Sequence, residues 1–224
     1  MTAESCAPEP CTPGRDCPLC PRLIAFRQAN RDRSPDWHNA PVPSFGELDA
    51  RILVVGLAPG LKGANRTGRP FTGDYAGDLL YATLSRLGLA SGVYGARIDD
   101  GFRLKGVRIT NAVRCVPPAN KPLPAEFAAC RRFLADEIAA MPNLAGIFAV
   151  GRNGHDAALS TLDIRKSAFP FGHGCVHRLP GGLALADSYH CSRYNVNTGR
   201  LTEAMFVTAF TALTDRIGLA SGFA

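Results

Sequence analysis

One loop of the chain, residues 56–77, holds functional groups that could bind and cleave a ligand. It reads GLAPGLKGANRTGRPFTGDYAG and follows the apolar run of residues 51–55. Such a long irregular stretch inside a compact domain is usually functional. Its glycines allow close backbone approach to a ligand, while Phe71 offers an aromatic face and Asp74 a carboxylate. Together with the basic residues Lys62, Arg66 and Arg69, they predict a pocket for a planar group joined to an anion, as in a nucleotide.

A second candidate loop, residues 188–202, follows the apolar run of residues 182–186 and reads SYHCSRYNVNTGRLT. It contains His190, Arg193 and Tyr194 ahead of a helical pattern. A loop of this kind can place a histidine at a crevice and direct polar side chains and a helix N-terminus toward phosphates. The alternative is a capped helix with a polar lead-in, in which the backbone satisfies the histidine.

Four of the eight cysteines could form a metal site. Cys17 and Cys20 form a C-x-x-C pair, Cys115 ends the strand-like ITNAVRC, and Cys130 lies in a helical segment. Two thiolates close in sequence and two brought together by the fold can enclose a tetrahedral zinc or a [4Fe–4S] cluster. The alternative is a chance C-x-x-C pair and cysteines that serve as small core residues.

An alternation of strands and helices must position these groups. Four apolar runs predict strands at residues 51–55, 107–113, 146–150 and 182–186. Helical patterns cover residues 18–32, 78–87, 124–141, 153–162 and 201–217. The alternation predicts a three-layer α/β/α domain with a four-stranded, mainly parallel sheet. Ligands bind such sheets at the carboxyl ends of the strands, where both loops and Asn111 are placed.

Composition predicts one soluble domain. Residues 1–16 are expected to form a disordered leader and residues 17–224 a single domain. The net charge of +6 favours an anionic partner, although many basic proteins bind no nucleic acid. No apolar run reaches membrane-spanning length and the N-terminus lacks a signal-peptide pattern, so we expect a cytoplasmic protein, and a monomer.

Three motifs in order resemble the type b, or fifth, family of uracil-DNA glycosylases. They are GLAPG…NRTG…PFTGD, ITNAVRC-x-PPANKP and SYH-x-S…N…TGRLT. The resemblance extends from Cys17 to about Phe210, and the cysteine spacing resembles that of iron–sulfur members of the superfamily. It implies a monofunctional DNA-repair enzyme, which flips uracil, and related bases such as hypoxanthine, from double-stranded DNA and hydrolyses the N-glycosidic bond.

The resemblance also implies roles for individual residues. His190 would stabilise the leaving uracil anion, and Asp74, helped by Asn120, would favour the sugar cation or hold the attacking water. The expected base pocket comprises Gly56, Ala58, Gly60, Phe71 and Asn111. The expected DNA contacts are Arg66, Arg69, Arg193, Tyr194 and Asn195. A structural [4Fe–4S] cluster would be held by Cys17, Cys20, Cys115 and Cys130, with zinc as the alternative.

Two positions set this chain apart within the superfamily. Leu57 and Ala58 are apolar where other glycosylase families have a polar residue, which matches the type b pattern and suggests a roomier pocket. Cys191 follows His190 where the motif commonly has proline, and proline would stiffen that turn.

Two rival functions remain open at this point. One is a related iron–sulfur glycosylase with narrow specificity for uracil. The other is a nucleic-acid-binding protein that has kept the cluster and the basic face without catalysis. Asp74 argues against the second, because a pure binder does not need a carboxylate that would repel phosphate.

Overall fold

The computed structural model describes residues 10–219; residues 1–9 of the expected leader, with Cys6, and residues 220–224 lie outside that range. The described strands are β1 (Ile52–Gly56), β2 (Ala90–Ser91), β3 (Arg103–Leu104), β4 (Val107–Asn111), β5 (Gly146–Val150), β6 (Val176–Arg178) and β7 (Ala184–Ser188). Five of them form one sheet in the order β4-β1-β5-β7-β6, and β2 and β3 form a separate ribbon.

The predicted parallel sheet is confirmed, with one added strand. Strands β4, β1, β5 and β7 pair in parallel, and β1 and β5 are buried along their whole length, as near-continuous apolar runs predict. The fifth strand, β6, pairs antiparallel with β7 at the sheet edge. Its three residues, Val-His-Arg, are too short and too polar to give a strand pattern in the sequence.

Helices cover both faces of this sheet. They are α1 (Pro21–Arg33), α2 (Ala64–Thr67), α3 (Tyr75–Arg86), α4 (Pro124–Ala139), α5 (Arg152–Thr161), α6 (Arg193–Asn197) and α7 (Glu203–Arg216). Each of the five predicted helices is present with ends shifted by a few residues. The two short helices, α2 and α6, lie inside the candidate loops, where four or five residues give no helical periodicity.

The core has two main layers, one on each face of the sheet. Alternate side chains of the strands pack against α3 and α7 on one face, where Leu80 and Phe206 are buried. The other alternate side chains pack against α4 and α5, where Leu134 and Leu159 are buried. This is the expected α/β/α arrangement. In the range that the structure covers, no helix combines the length and apolarity needed to cross a membrane.

At the start of the described range, the leader contacts α1. Arg31 in α1 donates a hydrogen bond to Asp16 Oδ1 over 2.6 Å and another to the Arg15 carbonyl oxygen over 3.1 Å. These bonds hold residues 15 and 16 against the helix just before the Cys17 position.

Candidate active site

A pocket of about 560 Å³ opens at the carboxyl ends of β1, β4 and β7. Three separate loops supply its walls, as parallel strands ending at one edge of a sheet require. Among the residues that line it are Ala58, Gly60, Phe71, Asp74, Asn111, Asn120, His190 and Arg193. The structure therefore gathers the expected catalytic residues and most of the expected base pocket around one cavity.

Asp74 lies in a cradle of glycines. A Cβ atom at Gly60 would lie 2.9 Å from Asp74 Oδ2, and one at Gly63 only 2.3 Å away. These two positions therefore exclude any side chain while the carboxylate occupies its place. The other oxygen, Oδ1, accepts a hydrogen bond from the Gly77 amide over 3.3 Å and caps α3.

Gly56 brings Asn111 and Phe71 together. Gly56 pairs with Asn111 across β1 and β4, and a Cβ on it would lie 2.5 Å from Asn111 Oδ1 and 2.6 Å from Phe71 Cζ. Phe71 has φ of +51°, which is a strained conformation for an aromatic residue. The missing side chain at Gly56 thus allows an amide and an aromatic ring to share one wall of the pocket.

The side-chain amide of Asn111 makes no hydrogen bond within residues 10–219. The residue as a whole is only 3% exposed, but its amide atoms are not among the buried side-chain atoms that lack a partner. They are therefore open to the pocket that Asn111 lines, where water or a ligand can bond them.

His190 faces the same cavity from the end of β7. Its ring lies 6.5 Å from the ring of Phe71, centroid to centroid, with 26° between the planes. Burial lowers the pKa of His190, and the nearby Asp74 carboxylate opposes that shift without reversing it. The ring is therefore neutral at neutral pH, with one nitrogen free to donate a hydrogen bond.

Cys191 fixes the turn after His190 by a contact of its side chain, where a proline would restrict the backbone. Its side chain is fully buried, and its thiol donates a hydrogen bond to the Ala76 carbonyl oxygen in α3 over 3.3 Å. The loop behind His190 is thereby fixed to the helix that Asp74 caps. The departure from proline does not leave this turn loose.

Arg69 is a correction to the expected DNA contacts. Its side chain is 3% exposed and makes two hydrogen bonds to Asp100, of 2.8 Å and 2.7 Å. Its guanidinium also lies over the rings of Phe45 and Tyr81. A buried, paired guanidinium cannot reach a phosphate, so Arg69 is a structural residue of this loop.

The remaining expected DNA contacts differ in availability. Arg66 lies on the surface in α2 and bonds the Lys62 carbonyl oxygen, while Tyr194 is 73% exposed. Arg193 lies over the ring of Tyr75 at the pocket. Asn195 instead donates its amide to the His190 carbonyl oxygen over 2.8 Å, so it supports the histidine rather than projecting outward.

A second cavity of about 350 Å³ lies on the other side of His190, and sequence reasoning missed most of its residues. Arg152, His173, Tyr189 and Arg200 contribute to its walls. Arg152 begins α5, one residue after the end of β5, so the rule that identified the other strand ends could have found it. His173 lies next to an edge strand that gives no pattern, and no local signal marks it.

The four candidate cysteines converge behind the pocket. Cys115 and Cys130 are buried together with Leu23, Val113 and Phe133, and the partly buried Cys17 and Cys20 pack against them. Burial, reinforced by the neighbouring cysteines, raises the pKa of Cys20 to about 11 and that of Cys115 to about 12. A metal centre would therefore have to displace the protons from these thiols.

The four cysteines do not form a ready-made site for a single zinc ion. Tetrahedral zinc with bonds of about 2.3 Å would hold its sulfur ligands about 3.8 Å apart. In the described chain, no three cysteines are gathered closely enough to count as ligands of one ion. A cluster makes no such demand, because its separate iron atoms each take one thiolate.

Two contacts partly offset the effect of burial on the cysteine pKa values and favour the thiolate form. Arg27 is buried, and its guanidinium approaches Cys115 Sγ at 3.8 Å and bonds the Cys17 carbonyl oxygen. The Arg114 amide donates a hydrogen bond to Cys130 Sγ over 3.3 Å. A buried cation and an amide donor stabilise thiolates, so the residues present fit an iron–sulfur cluster.

Comparison with known proteins gives a consistent assignment. The Uracil DNA glycosylase superfamily matches residues 43–214. A type-5 uracil-DNA glycosylase of Thermus thermophilus is 50% identical over 197 residues, covering 85% of this chain and 89% of that protein. One of Pyrobaculum aerophilum is 42% identical over 191 residues, covering 84% and 83%. A type-4 uracil-DNA glycosylase of Thermotoga maritima is 42% identical over 94 residues, covering 42% and 41%.

Proposed function

Because the chain belongs to the type-5 uracil-DNA glycosylases of the Uracil DNA glycosylase superfamily, we propose that it removes uracil from double-stranded DNA. The base leaves the duplex by flipping, enters the pocket at the carboxyl edge of the sheet, and is cut from its sugar by hydrolysis. One observation carries this proposal: the side-chain amide of Asn111 makes no hydrogen bond in the described protein and lies beside Phe71 in that pocket.

Asn111 can distinguish uracil from cytosine. Its amide oxygen accepts the N3–H of uracil and its amide nitrogen donates to O4. Cytosine would set an acceptor against the amide oxygen and a donor against the amide nitrogen. Phe71 supplies a face on which the base stacks, which contributes about 1–3 kcal/mol in comparable contacts.

His190 and Asp74 stabilise the two charges that develop when the glycosidic bond breaks. The bonding electron pair leaves with uracil N1, and neutral His190 donates a hydrogen bond to uracil O2. The sugar gains cationic character close to the Asp74 carboxylate. A water molecule, held by Asp74 with Asn120 beside the pocket, then attacks C1′ and gives its proton to the Asp74 carboxylate. The uracil anion takes up a proton from solvent, so the products are neutral uracil and an abasic sugar.

The size and chemistry of the pocket favour a broad, monofunctional glycosylase. A cavity of about 560 Å³ exceeds what a single pyrimidine needs, and the apolar Leu57 and Ala58 in its wall exclude few base edges. Hypoxanthine is therefore a second expected substrate. No lysine lines the pocket among the described residues, whereas the lyase step of a bifunctional enzyme requires an amine at the reacting sugar.

The four clustered cysteines are proposed to hold a [4Fe–4S] centre with a structural role. The cysteines would then tie the segment before α1 to α4 and to the loop after β4, with all four thiolates used as ligands. Cys17, Cys20, Cys115 and Cys130 therefore leave no coordination position for substrate.

Excision from a panel of duplexes, each carrying a single lesion, tests the proposal. Purified protein is incubated with duplexes containing uracil, hypoxanthine or thymine, and alkali then cleaves any abasic site. We expect strand cleavage for uracil and weaker cleavage for hypoxanthine. Uracil alone would indicate the narrow-specificity rival, whereas tight DNA binding without any cleavage would indicate the non-catalytic rival.

A further inference from the structure

His173 contacts the backbone immediately before His190. Its Nδ1 accepts a hydrogen bond from the Tyr189 amide over 3.2 Å. Its ring also stacks on the Tyr189 ring, with centroids 4.8 Å apart and planes 13° apart. The residue thus holds the peptide that carries His190, although it does not line the main pocket itself.

The segment that carries His173 is fixed to β7 on both sides. The Gly172 amide donates to Asp187 Oδ2 over 3.2 Å, and the Gly174 amide donates to the Asp187 carbonyl oxygen over 2.8 Å. Asp187 Oδ1 is itself bonded to His155 Nδ1 at 2.7 Å. The acceptor on His173 is therefore presented by a firmly anchored turn rather than by a free loop.

The backbone around His190 is then held at two points. His173 binds the amide of the preceding residue, and the Asn195 amide binds the carbonyl oxygen of His190 itself. A misplacement of about 1 Å in a catalytic group can cost on the order of 10²-fold in rate. Loss of either contact should therefore lower catalysis more than it lowers stability.

We propose that His173 is the positioning residue for His190, acting through its neutral Nδ1 as acceptor for the Tyr189 amide, and that protonation of His173 releases this contact. This inference rests on the proposed uracil excision. An imidazolium has no free lone pair, so a protonated His173 would set an N–H against an N–H.

The surroundings of His173 keep it neutral at neutral pH. The charged residues Arg152 and Arg200 line the same cavity, and the Asp187 carboxylate is occupied by bonds to Gly172 and His155. The other titratable groups that face it are Tyr189 and His190. Burial lowers the pKa of His173, so the contact persists at pH 7 and is lost only as the pH falls below that lowered value.

Two substitutions separate the acceptor from the stacking ring. His173→Phe keeps an aromatic ring over Tyr189 but removes the acceptor. His173→Asn removes the ring but places an amide oxygen near the position of Nδ1, and that oxygen cannot be protonated in this pH range. His177→Asn is the matched control, because it changes a histidine of the same segment that contacts Asp187 rather than Tyr189.

The measurement is the single-turnover rate of excision from a uracil duplex between pH 5 and 8, with DNA affinity and thermal unfolding recorded for each variant. We expect His173→Phe to lose on the order of 10²-fold in rate with unchanged affinity. His173→Asn and the control should keep the rate of the unsubstituted protein at neutral pH. At acidic pH the log rate falls as the pH falls, and the slope of this fall against pH should be smaller by one for His173→Asn than for the unsubstituted protein, because one fewer protonation then slows the reaction.

Three results would overturn the role of His173. They are full activity of His173→Phe, a His173→Asn rate as low as that of His173→Phe, or an unchanged slope of log rate against acidic pH in His173→Asn. If the Phe variant does not fold, that slope in His173→Asn tests the role by itself. Absence of excision by the unsubstituted protein would instead refute the proposed function, before any variant is compared.

Discussion

At the scale of single residues, Asp74 uses its two carboxylate oxygens differently. Oδ1 caps α3 through the Gly77 amide, and Oδ2 lies against the glycine cradle formed by Gly60 and Gly63. A purely capping residue would need only the first contact. The second oxygen is free to act in the pocket, which makes a structural role and a catalytic role separable by substitution.

The substitution Asp74→Asn should separate the structural role of Asp74 from its catalytic role. Asparagine caps helices about as well as aspartate, so folding should be preserved. The loss of the negative charge should lower the single-turnover rate by about 10²–10³-fold with little change in DNA affinity. Asp78→Asn is the matched control, because it removes an exposed carboxylate from the first turn of the same helix. Equal activity of Asp74→Asn and the control would reduce Asp74 to a helix cap.

The position of a side chain in the pocket could be predicted where the residue stood out in its segment. Asp74 is the only carboxylate of its loop and Asn111 ends a buried strand, and both now line the pocket. The predicted DNA contact of Arg69 is wrong, because its partner, Asp100, lies 31 positions away in an irregular segment where the sequence gives no sign of the pairing. A basic residue in a loop gives no sign of whether it will meet a phosphate or a distant carboxylate.

At the scale of elements, the cysteine cluster joins three parts of the chain. Cys17 and Cys20 precede α1, Cys115 follows β4, and Cys130 lies in α4. A pair of hydrogen bonds of 2.8 Å between Arg22 and Glu126 also links α1 to α4. That pair is partly open to solvent, where ion pairs contribute little, so the proposed centre should be the main link between these elements.

Cys17→Ser should therefore release iron and weaken the N-terminal region. We expect the purified protein to be brown, with iron and acid-labile sulfide in equal amounts, and the variant to be colourless and less soluble. Cys175→Ser is the control, since that cysteine is exposed and outside the cluster. A colourless parent protein with one zinc per chain would contradict the cofactor assignment while leaving the glycosylase assignment intact.

The elements themselves were predictable where burial imposes a pattern. The four parallel strands read as apolar runs, and helices α3, α4, α5 and α7 read as periodic ones. Strand β6 could not be predicted, because an edge strand of three residues needs neither an apolar run nor a regular alternation of apolar and polar residues. The position of His173 depends on that strand, and so the contact between His173 and Tyr189 could not be derived from the sequence.

At the scale of the whole molecule, the parallel sheet explains why one site is built from distant segments. Gly56 and Asn111 end the adjacent strands β1 and β4, and Ser188 ends β7, which only β5 separates from β1. The loops that follow these parallel strands must therefore share one edge of the sheet. The strand ends could be predicted from the sequence, and with them the loops that meet. Contacts between those loops, such as the thiol of Cys191 on Ala76, arise only from packing.

Base selection by the assembled enzyme provides the most direct test of the central claim, that this pocket reads uracil through Asn111. Single-turnover excision is measured for the unsubstituted protein and for Asn111→Asp, on duplexes that differ only in uracil or cytosine at one position. The aspartate presents a second acceptor, which repels uracil O4 and suits the cytosine amino group. We predict a loss of uracil excision of about 10⁴-fold and weak new excision of mispaired cytosine. Unchanged uracil excision by a folded Asn111→Asp would contradict the claim.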